Sequence, residues 1–313
     1  MRILVTGGSG LVGTALKEIS KKYIGCEFNF LSSKMCDLTN LKQTEELFEK
    51  FKPTYVIHLA ARVGGLYKNM NERIKMLEEN ITINTNVIKC CDKYNVRKLI
   101  SCLSTCIFPD KVKYPISEND LHNGPPHDSN SSYAYAKRLL DIHSKAYRDE
   151  KDKNFICIIP TNIYGKNDNF SLEDGHVIPA LIHRCFISKK NGEPFSVKGT
   201  GKPLRQFIYS EDLARLIMWC LLIYIEKKNI ILSPNTEISI GEVAEKIAEI
   251  FDYKDKMVFL TNYADGQFKK TVDNSYLMNE ITKRNNNFNF TSIEEGLKLT
   301  IDWFKKNYKY CRK

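Results

Sequence analysis

Nothing in this 313-residue sequence is apolar for long enough to cross a bilayer. The longest apolar run, residues 216–225, covers about half of the ~20 residues that a spanning helix needs. The opening segment, MRILVTGGSG, lacks the apolar core and small-residue cleavage site of a secretory leader, so the sequence reads as cytoplasmic. Cysteine is plentiful, with ten residues, but no pair is spaced Cys-x-x-Cys and no Cys/His group has zinc spacing. The expectation is no metal, no disulfide framework, and thiols that serve mostly as small buried hydrophobes. A dense basic block with interleaved aromatics is missing too, which argues against nucleic acid as a partner.

What is present in excess is positive charge: 47 Lys and Arg against 37 Asp and Glu, a net +10. With membrane and nucleic acid set aside, anionic small ligands remain, on top of a lysine-rich solvated surface. Hydrophobic residues make up 42% of the chain and charged ones 27%, which allows an ordinary packed core.

Short branched apolar runs alternate with segments of helical periodicity. Residues 2–6, 28–31, 55–59, 98–103 and 155–159 read as strands, the last halted by Pro160. Residues 11–19, 41–51, 71–94 and 133–149 read as helices. This alternation implies an α/β fold, a Rossmann-type parallel sheet with helices on both faces. After Gly165 the rhythm changes. Segment 166–210 carries Gly, Pro, Asn and charge with only short apolar pieces, and helical patterns return at 212–227, 239–251 and 291–308. The expected organisation is a Rossmann domain over 1–165 and a smaller α/β domain over 166–313, with part of 205–235 returning to the first.

Gly7, Gly10 and Gly13 fall between the first strand and the first helix. There glycine allows a tight turn and lets a pyrophosphate reach the N–H groups at the helix start. Gly7, Gly10, Leu11, Val12 and Gly13 are therefore the expected dinucleotide contacts. An NAD site places an acid about 20 residues further on, to bind the ribose 2′-hydroxyl. Here that region reads Ser32-Ser33-Lys34. Hydroxyls and a cation suit a 2′-phosphate, so NADP(H) is expected, selected by Ser33 and Lys34; the alternative is that Lys34 is an ordinary solvated lysine. Asp37 either contacts the adenine or caps the next helix.

Tyr133 and Lys137 are spaced i, i+4 and so share one helix face, a turn apart. A phenol with a pKa near ~10 exchanges protons poorly at neutral pH, and a nearby cation together with the oxidised nicotinamide ring lowers it. Ser104, just past the fourth strand, is placed to hold a substrate carbonyl. Tyr135 lies off the lysine face.

The TGGSGLVG turn at 6–13, HLAARVGG at 58–65 and the YAYAK helix at 133–137 resemble the extended short-chain dehydrogenase/reductase family. Longer blocks are similar to its members that epimerise and reduce GDP-linked keto sugars. They are SCLSTCIFPD at 101–110, HNGPPHDSN at 122–130, PTNIYG at 160–165, DNFSLEDGHVIPALIHR at 168–184, GTGKPLRQFIYSEDLA at 199–214 and DGQFKK at 265–270. The resemblance implies NADPH-dependent conversion of GDP-4-keto-6-deoxy-D-mannose by epimerisation at C3 and C5 and reduction at C4. It implies Ser104, Tyr133 and Lys137 for the reduction, and Cys106 and His176 for the epimerisation. It adds Leu59, Ala60, Pro160 and Asn162 as cofactor contacts, and Asn162, Asn169, Arg184, Arg205 and Lys270 as substrate contacts. It also implies a homodimer through the helices at 71–94 and 133–149, where Ile74, Leu77, Ile81 and Val87 face either a partner or the sheet. Leu181 and Val197 are candidate walls for the base.

The side-chain chemistry suits those roles. A C4 ketone acidifies the hydrogens on C3 and C5, and epimerisation needs a base and an acid on opposite faces of the ring. A thiol near pKa ~8.5 and an imidazole near ~6.5 straddle physiological pH. The bland readings are that Cys102 or Cys106 is a buried filler and that His176 packs or lies on the surface, like His122, His127 and His183. Competing functions are another nucleotide-sugar epimerase or 4-reductase, which has no need of Cys106 and His176, and an inactive NADPH-binding scaffold, which has no need of an intact triad.

Overall fold

The computed structural model describes residues 1–263, 265 and 267–313; Ala264 and Gly266, the latter within the 265–270 block, lie outside the described residues. β1 (Arg2–Thr6) is buried at every position but Arg2, as a strand covered on both faces must be. After the glycine turn, α1 (Leu11–Ser20) lays Ala15, Leu16 and Ile19 on the sheet. β2 (Glu27–Leu31), α2 (Leu41–Phe51), β3 (Tyr55–His58), α3 (Leu66–Asn71), α4 (Arg73–Lys93), β4 (Lys98–Cys102), α5 (Ser131–Lys151) and β5 (Phe155–Pro160) continue the alternation. Then come β6 (Asn162–Tyr164), α6 (Val177–Asn191), β7 (Phe195–Lys198), β8 (Leu204–Arg205), β9 (Phe207–Tyr209) and α7 (Ser210–Leu222). The chain ends with β10 (Ile230–Leu232), β11 (Ile238–Ser239), α8 (Ile240–Ile250), β12 (Met257–Leu260), α9 (Ser275–Lys283) and α10 (Ile293–Asn307).

Six parallel strands form the main sheet in the order β2-β1-β3-β4-β5-β10. The chain reverses its direction of travel across the sheet between β1 and β3. In such sheets ligands bind beyond the carboxyl ends of the strands at this switch point. The glycine turn after β1, Leu59 and Ala60 after β3, and Ser104 after β4 all lie on that edge.

Alternate strand residues serve opposite faces. Ile3 and Val5 pack with Leu16 of α1 and Leu213 of α7, while Leu4 and Val56 pack with Phe48 of α2 and Val87 of α4. Each such fully buried side chain contributes roughly 1.5–3 kcal/mol of transfer free energy. A third cluster, including Phe170, Phe195, Val243 and Phe304, forms the core of the second lobe. β4 opens on buried Lys98, whose ammonium donates to the carbonyls of Cys220 and Tyr224 where α7 ends, a favourable place for a cation.

Four expectations need correction. Segment 166–210 holds the 15-residue α6. Its Pro179 masks the pattern in sequence, yet it sits in the first helical turn, where the missing N–H costs no intrahelical bond. The helix expected over 212–227 starts at Ser210 and stops at Leu222. Pro160 does not lie outside β5 but is its last residue, paired in register with Leu232. α9 was not expected; it is short and its buried face rests on Leu277 and Ile281. No helix among the described residues is long and apolar enough to cross a membrane.

Candidate active site

The glycine turn is shaped for an anion. Gly7 has φ +70°, and a Cβ there would stand 2.9 Å from the backbone nitrogen of Ala60. At Gly13 a Cβ would sit 2.4 Å from the Gly7 carbonyl oxygen, which is how closely α1 approaches β1. Gly10 is different: its added Cβ would meet only that same oxygen, at 3.2 Å, and otherwise project into open space. Gly10 caps α1 without a side chain, so the N–H groups of Leu11, Val12 and Gly13 are left for a ligand at the positive end of the helix. These residues fit a dinucleotide pyrophosphate.

Gly8 donates to the Leu31 carbonyl at 2.7 Å, which brings the end of β2 against the turn. Ser33 and Lys34 are exposed just beyond, and Lys34 has no ion-pair partner among the described residues. Asp37 is not the helix cap. Asn40 takes that place and accepts from Gln43 N at 3.1 Å, while Asp37 accepts from Thr39 N at 2.9 Å.

His58, which the sequence reads only as a strand residue, has its ring fully buried. Nδ1 lies 2.8 Å from Thr6 Oγ1 and Nε2 lies 3.0 Å from Asn84 Oδ1. Thr6 Oγ1 already accepts from the N–H groups of Leu59 and Ala60, each at 3.2 Å. Its hydroxyl therefore donates to Nδ1, and the ring hydrogen on Nε2 goes to Asn84. Asn84 Nδ2 in turn donates to the Ala136 carbonyl at 3.5 Å, one residue before Lys137. The chain of bonds links the glycine turn to α5 and accepts only a neutral imidazole. Burial, with help from the Lys137 charge, pushes His58 down to about 3.

That depression has a consequence for stability. The folded ring binds a proton less readily than the unfolded one at ~6.5, so its contribution is complete above pH 6.5 and is lost as pH falls toward 3. The loss amounts to about 2 kcal/mol by pH 5. Burial lowers His143, His176 and His183 in the same direction. The melting temperature is expected to drop between pH 7 and pH 5, where most carboxylates are still ionised. A flat or rising melting temperature across that interval contradicts the assignment.

Past β4 the chain enters a short 3₁₀ turn, Thr105–Ile107, capped by Ser104, whose Oγ accepts from Cys106 N at 3.4 Å. Arg138 on α5 holds this turn by donating to the Ile107 carbonyl at 2.6 Å and to the Gly124 carbonyl at 2.7 Å. Tyr133 lies in the first turn of α5 and buried Lys137 one turn later. The Lys137 ammonium donates to the Cys102 carbonyl at 2.8 Å and stands 5.8 Å from the centre of the Tyr133 ring. The sequence leads one to expect a phenol lowered by its lysine together with the oxidised nicotinamide ring. Burial outweighs that effect: Tyr133 is pushed well above its ordinary value, with the Cys106 and Cys102 sulfurs adding to the rise. The phenol is therefore held protonated, the form that gives a proton away. Burial likewise lowers Lys137 and raises Cys106. Tyr135 is 47% exposed and takes no part.

His176 comes from the other lobe, as the residue before α6. Gly175 precedes it and donates to the Ser171 carbonyl at 3.1 Å; a Cβ there would stand 2.4 Å from that oxygen. His176 keeps an exposed surface, and desolvation by the surrounding protein lowers its imidazole. Asn169 folds back on its own loop, accepting from Ser171 N at 3.2 Å. Asn162 on β6 donates to the Gln206 carbonyl at 2.9 Å. Arg184 donates to the Ser196 carbonyl at 3.2 Å, and Arg205 to the Gln267 carbonyl at 2.7 Å. Lys270 is half-buried. Leu181 and Val197, considered as walls for the base, are 4% and 1% exposed and belong to the second-lobe core. The other histidines have structural partners: His122 meets Asp141 at 3.0 Å, His127 meets Ser129 at 2.8 Å, and His183 meets the Phe170 carbonyl at 2.7 Å. Among the described residues no cluster of His, Cys, Asp and Glu is arranged to hold a metal ion.

The structure thus gathers Ser104, Cys106, Tyr133 and Lys137 on the sheet edge, while Arg205 is bonded to the segment that carries Lys270. Sequence reasoning missed two connectors. One is His58, signalled only by a histidine closing an apolar strand. The other is buried Gln206, which accepts from Val272 N at 2.8 Å and donates to the carbonyls of Val272 and Pro234, each at 3.2 Å.

A family model described as the NAD dependent epimerase/dehydratase family matches residues 3–231. A GDP-L-fucose synthase of Dictyostelium discoideum is 50% identical over 315 aligned residues, covering 99% of this chain and 97% of that protein. A GDP-L-colitose synthase of Yersinia pseudotuberculosis is 30% identical, covering 97% of this chain and 98% of that protein. Among solved structures, a GDP-L-fucose synthetase from Naegleria fowleri bound to NADP matches with a TM-score of 0.93 and 46% identity, covering 100% of this chain and 95% of that one.

Proposed function

The chain belongs to the NAD dependent epimerase/dehydratase family, and on that footing we propose that it is an NADPH-dependent epimerase-reductase that converts GDP-4-keto-6-deoxy-D-mannose to GDP-L-fucose. The observation that carries this reading is the company Cys106 keeps. A thiol two residues from Ser104, on the turn that the Tyr133 helix holds through Arg138, adds a second proton-transfer group to a reductase site. A plain 4-reductase has no use for it. The near full-length similarity to enzymes named for this product supports the same reading.

In this reading Cys106, as thiolate, removes the proton from C3 or C5, and the electron pair moves to the C4 oxygen. His176 returns a proton to the same carbon from the opposite face. Ser104 holds the C4 oxygen by hydrogen bonding, and Tyr133 gives it a proton when the ketone is reduced. Lys137 fixes the Cys102 carbonyl and the local charge beside the phenol. When bound, NADPH supplies the hydride that reduces C4. Gly7, Gly10, Leu11, Val12 and Gly13 would hold its pyrophosphate, and Ser33 and Lys34 its 2′-phosphate, with Leu59, Ala60, Pro160 and Asn162 lining the route between. Arg184, Arg205 and Lys270 are the cations for the GDP diphosphate; Asn162 and Asn169 are the amides nearest the sugar in this scheme. The test is oxidation of NADPH on addition of GDP-4-keto-6-deoxy-D-mannose. NADPH that stays unoxidised with this substrate, while another nucleotide keto sugar triggers its oxidation, overturns the substrate assignment.

A homodimer through α4 and α5 is part of the proposal. Ile74 on α4 and Leu139 and Ile142 on α5 are 71%, 42% and 51% exposed, large apolar side chains left uncovered on this pair of helices. Val87 has no share in it, being fully buried against the sheet. Light scattering should give the mass of two chains; the mass of one chain rules the dimer out.

A further inference from the structure

Residues 267–273 are held on both edges by hydrogen bonds, as a strand would be. On one edge Gln267 Nε2 donates to the Asp110 carbonyl at 3.3 Å, Ile116 N to the Thr271 carbonyl at 2.9 Å, and Asp273 N to the Ile116 carbonyl at 2.7 Å. On the other edge Leu204 N donates to the Phe268 carbonyl at 2.9 Å. Further along that edge the partner is a side chain. Gln206 Oε1 accepts from Val272 N at 2.8 Å, and its Nε2 donates to the carbonyls of Val272 and Pro234, each at 3.2 Å. The fully buried amide thus offers Val272 one acceptor and one donor, as a neighbouring backbone peptide would. The partners fix its orientation, since only the NH2 group can donate to both carbonyls.

We propose that Gln206 is a positioning residue for the substrate diphosphate: its side chain sets the register of the segment that carries Lys270, between the anchors at Phe268 and Val272. This rests on the functional reading above and adds a residue to it. Lys270 stands midway between the two anchors. Arg205, the neighbour of Gln206, donates to the Gln267 carbonyl at 2.7 Å, so a second cation of the diphosphate scheme is bonded to the same segment. The Lys269 ammonium is committed to Glu237 at 3.2 Å. The Gln206 backbone carbonyl accepts from Asn162 N at 3.2 Å and Asn162 Nδ2 at 2.9 Å, which ties the same residue to the amide set beside the sugar. That carbonyl contact does not depend on the side chain. A carboxylate at position 206 would still accept from Val272 N, but it would turn its other oxygen toward two carbonyl oxygens. Only the protonated acid can donate to one of them, and burial keeps such an acid protonated to higher pH. A glutamate there therefore puts the register of the segment under the control of one proton.

The experiment measures binding of GDP and of NADPH to the full chain by titration calorimetry, at about pH 8.5 and about pH 6. Gln206→Glu is expected to bind GDP about tenfold more weakly than the wild type at the higher pH and to approach wild-type affinity at the lower, with NADPH affinity unchanged at both. Gln206→Met, similar in size but without the amide, should lose about the same factor at both pH values. Equal losses of GDP and NADPH affinity, or GDP affinity in the folded variants equal to that of the wild type, overturn the proposal. A measurement on the wild type needs no variant: bound GDP should slow deuterium exchange in the peptide containing Val272, and bound NADPH should not. Exchange there that ignores GDP overturns the proposal even where both variants fail to fold. Wild-type protein that does not bind GDP sinks the functional reading and this proposal with it, whereas wild-type binding that the variants retain in full sinks this proposal alone.

Discussion

In the Cys106→Ser protein, solvent deuterium is expected to enter C3 and C5 of the sugar about 10³-fold more slowly than in the wild type, with NADPH binding unchanged. The estimate follows from what is removed. A positioned acid or base contributes roughly 10²–10⁴-fold, and a serine hydroxyl does not ionise near neutral pH. The replacement is nearly isosteric and Cys106 is only half-buried, so the 3₁₀ turn and the Arg138 bonds that hold it should survive. NADPH binding serves as the control, because the glycine turn and the end of β2 do not involve residue 106. Deuterium entering at the wild-type rate removes Cys106 from the mechanism.

Tyr133→Phe is expected to separate the two halves of the reaction in the opposite sense. The phenol is held protonated by burial, and its loss leaves the C4 oxygen without a proton donor when hydride arrives. NADPH oxidation should fall about 10³-fold, equivalent to roughly 4 kcal/mol of barrier, while deuterium exchange at C3 and C5 continues. The ring stays in place against the Lys137 ammonium, so the helix keeps its packing. NADPH consumption near the wild-type rate, or loss of exchange along with reduction, contradicts this division of labour.

How much of this was legible in sequence depends on how local the signal is. The β1–glycine turn–α1 unit is continuous in the chain, and Gly7 and Gly13 answer to steric needs that the structure displays. Tyr133 and Lys137 are also local, one helical turn apart, and their shared face follows from periodicity alone. The ionisation of Tyr133 is not local. It depends on burial by other elements, which raises the phenol and which no local pattern encodes. α6 was hidden by Pro179, because a proline in the first turn is indistinguishable in sequence from one that breaks a helix. His58 is hidden for a related reason: in an apolar strand a histidine reads as one more residue until Thr6 and Asn84 are seen on either side. The hydrogen bonds that tie residues 267–273 to residues 110–116 arise from pairing between distant segments, which no local pattern encodes.

The central claim is that one site both inverts two carbons and reduces a third. It is tested most directly by running the reaction to completion in D2O with NADPH and GDP-4-keto-6-deoxy-D-mannose and examining the sugar product by NMR and mass spectrometry. GDP-L-fucose carrying solvent deuterium at both C3 and C5 is expected, with one NADPH oxidised per product. A reduced D-configured sugar with no deuterium at those carbons would contradict it, because the site would then be a 4-reductase in which Cys106 and His176 move no protons.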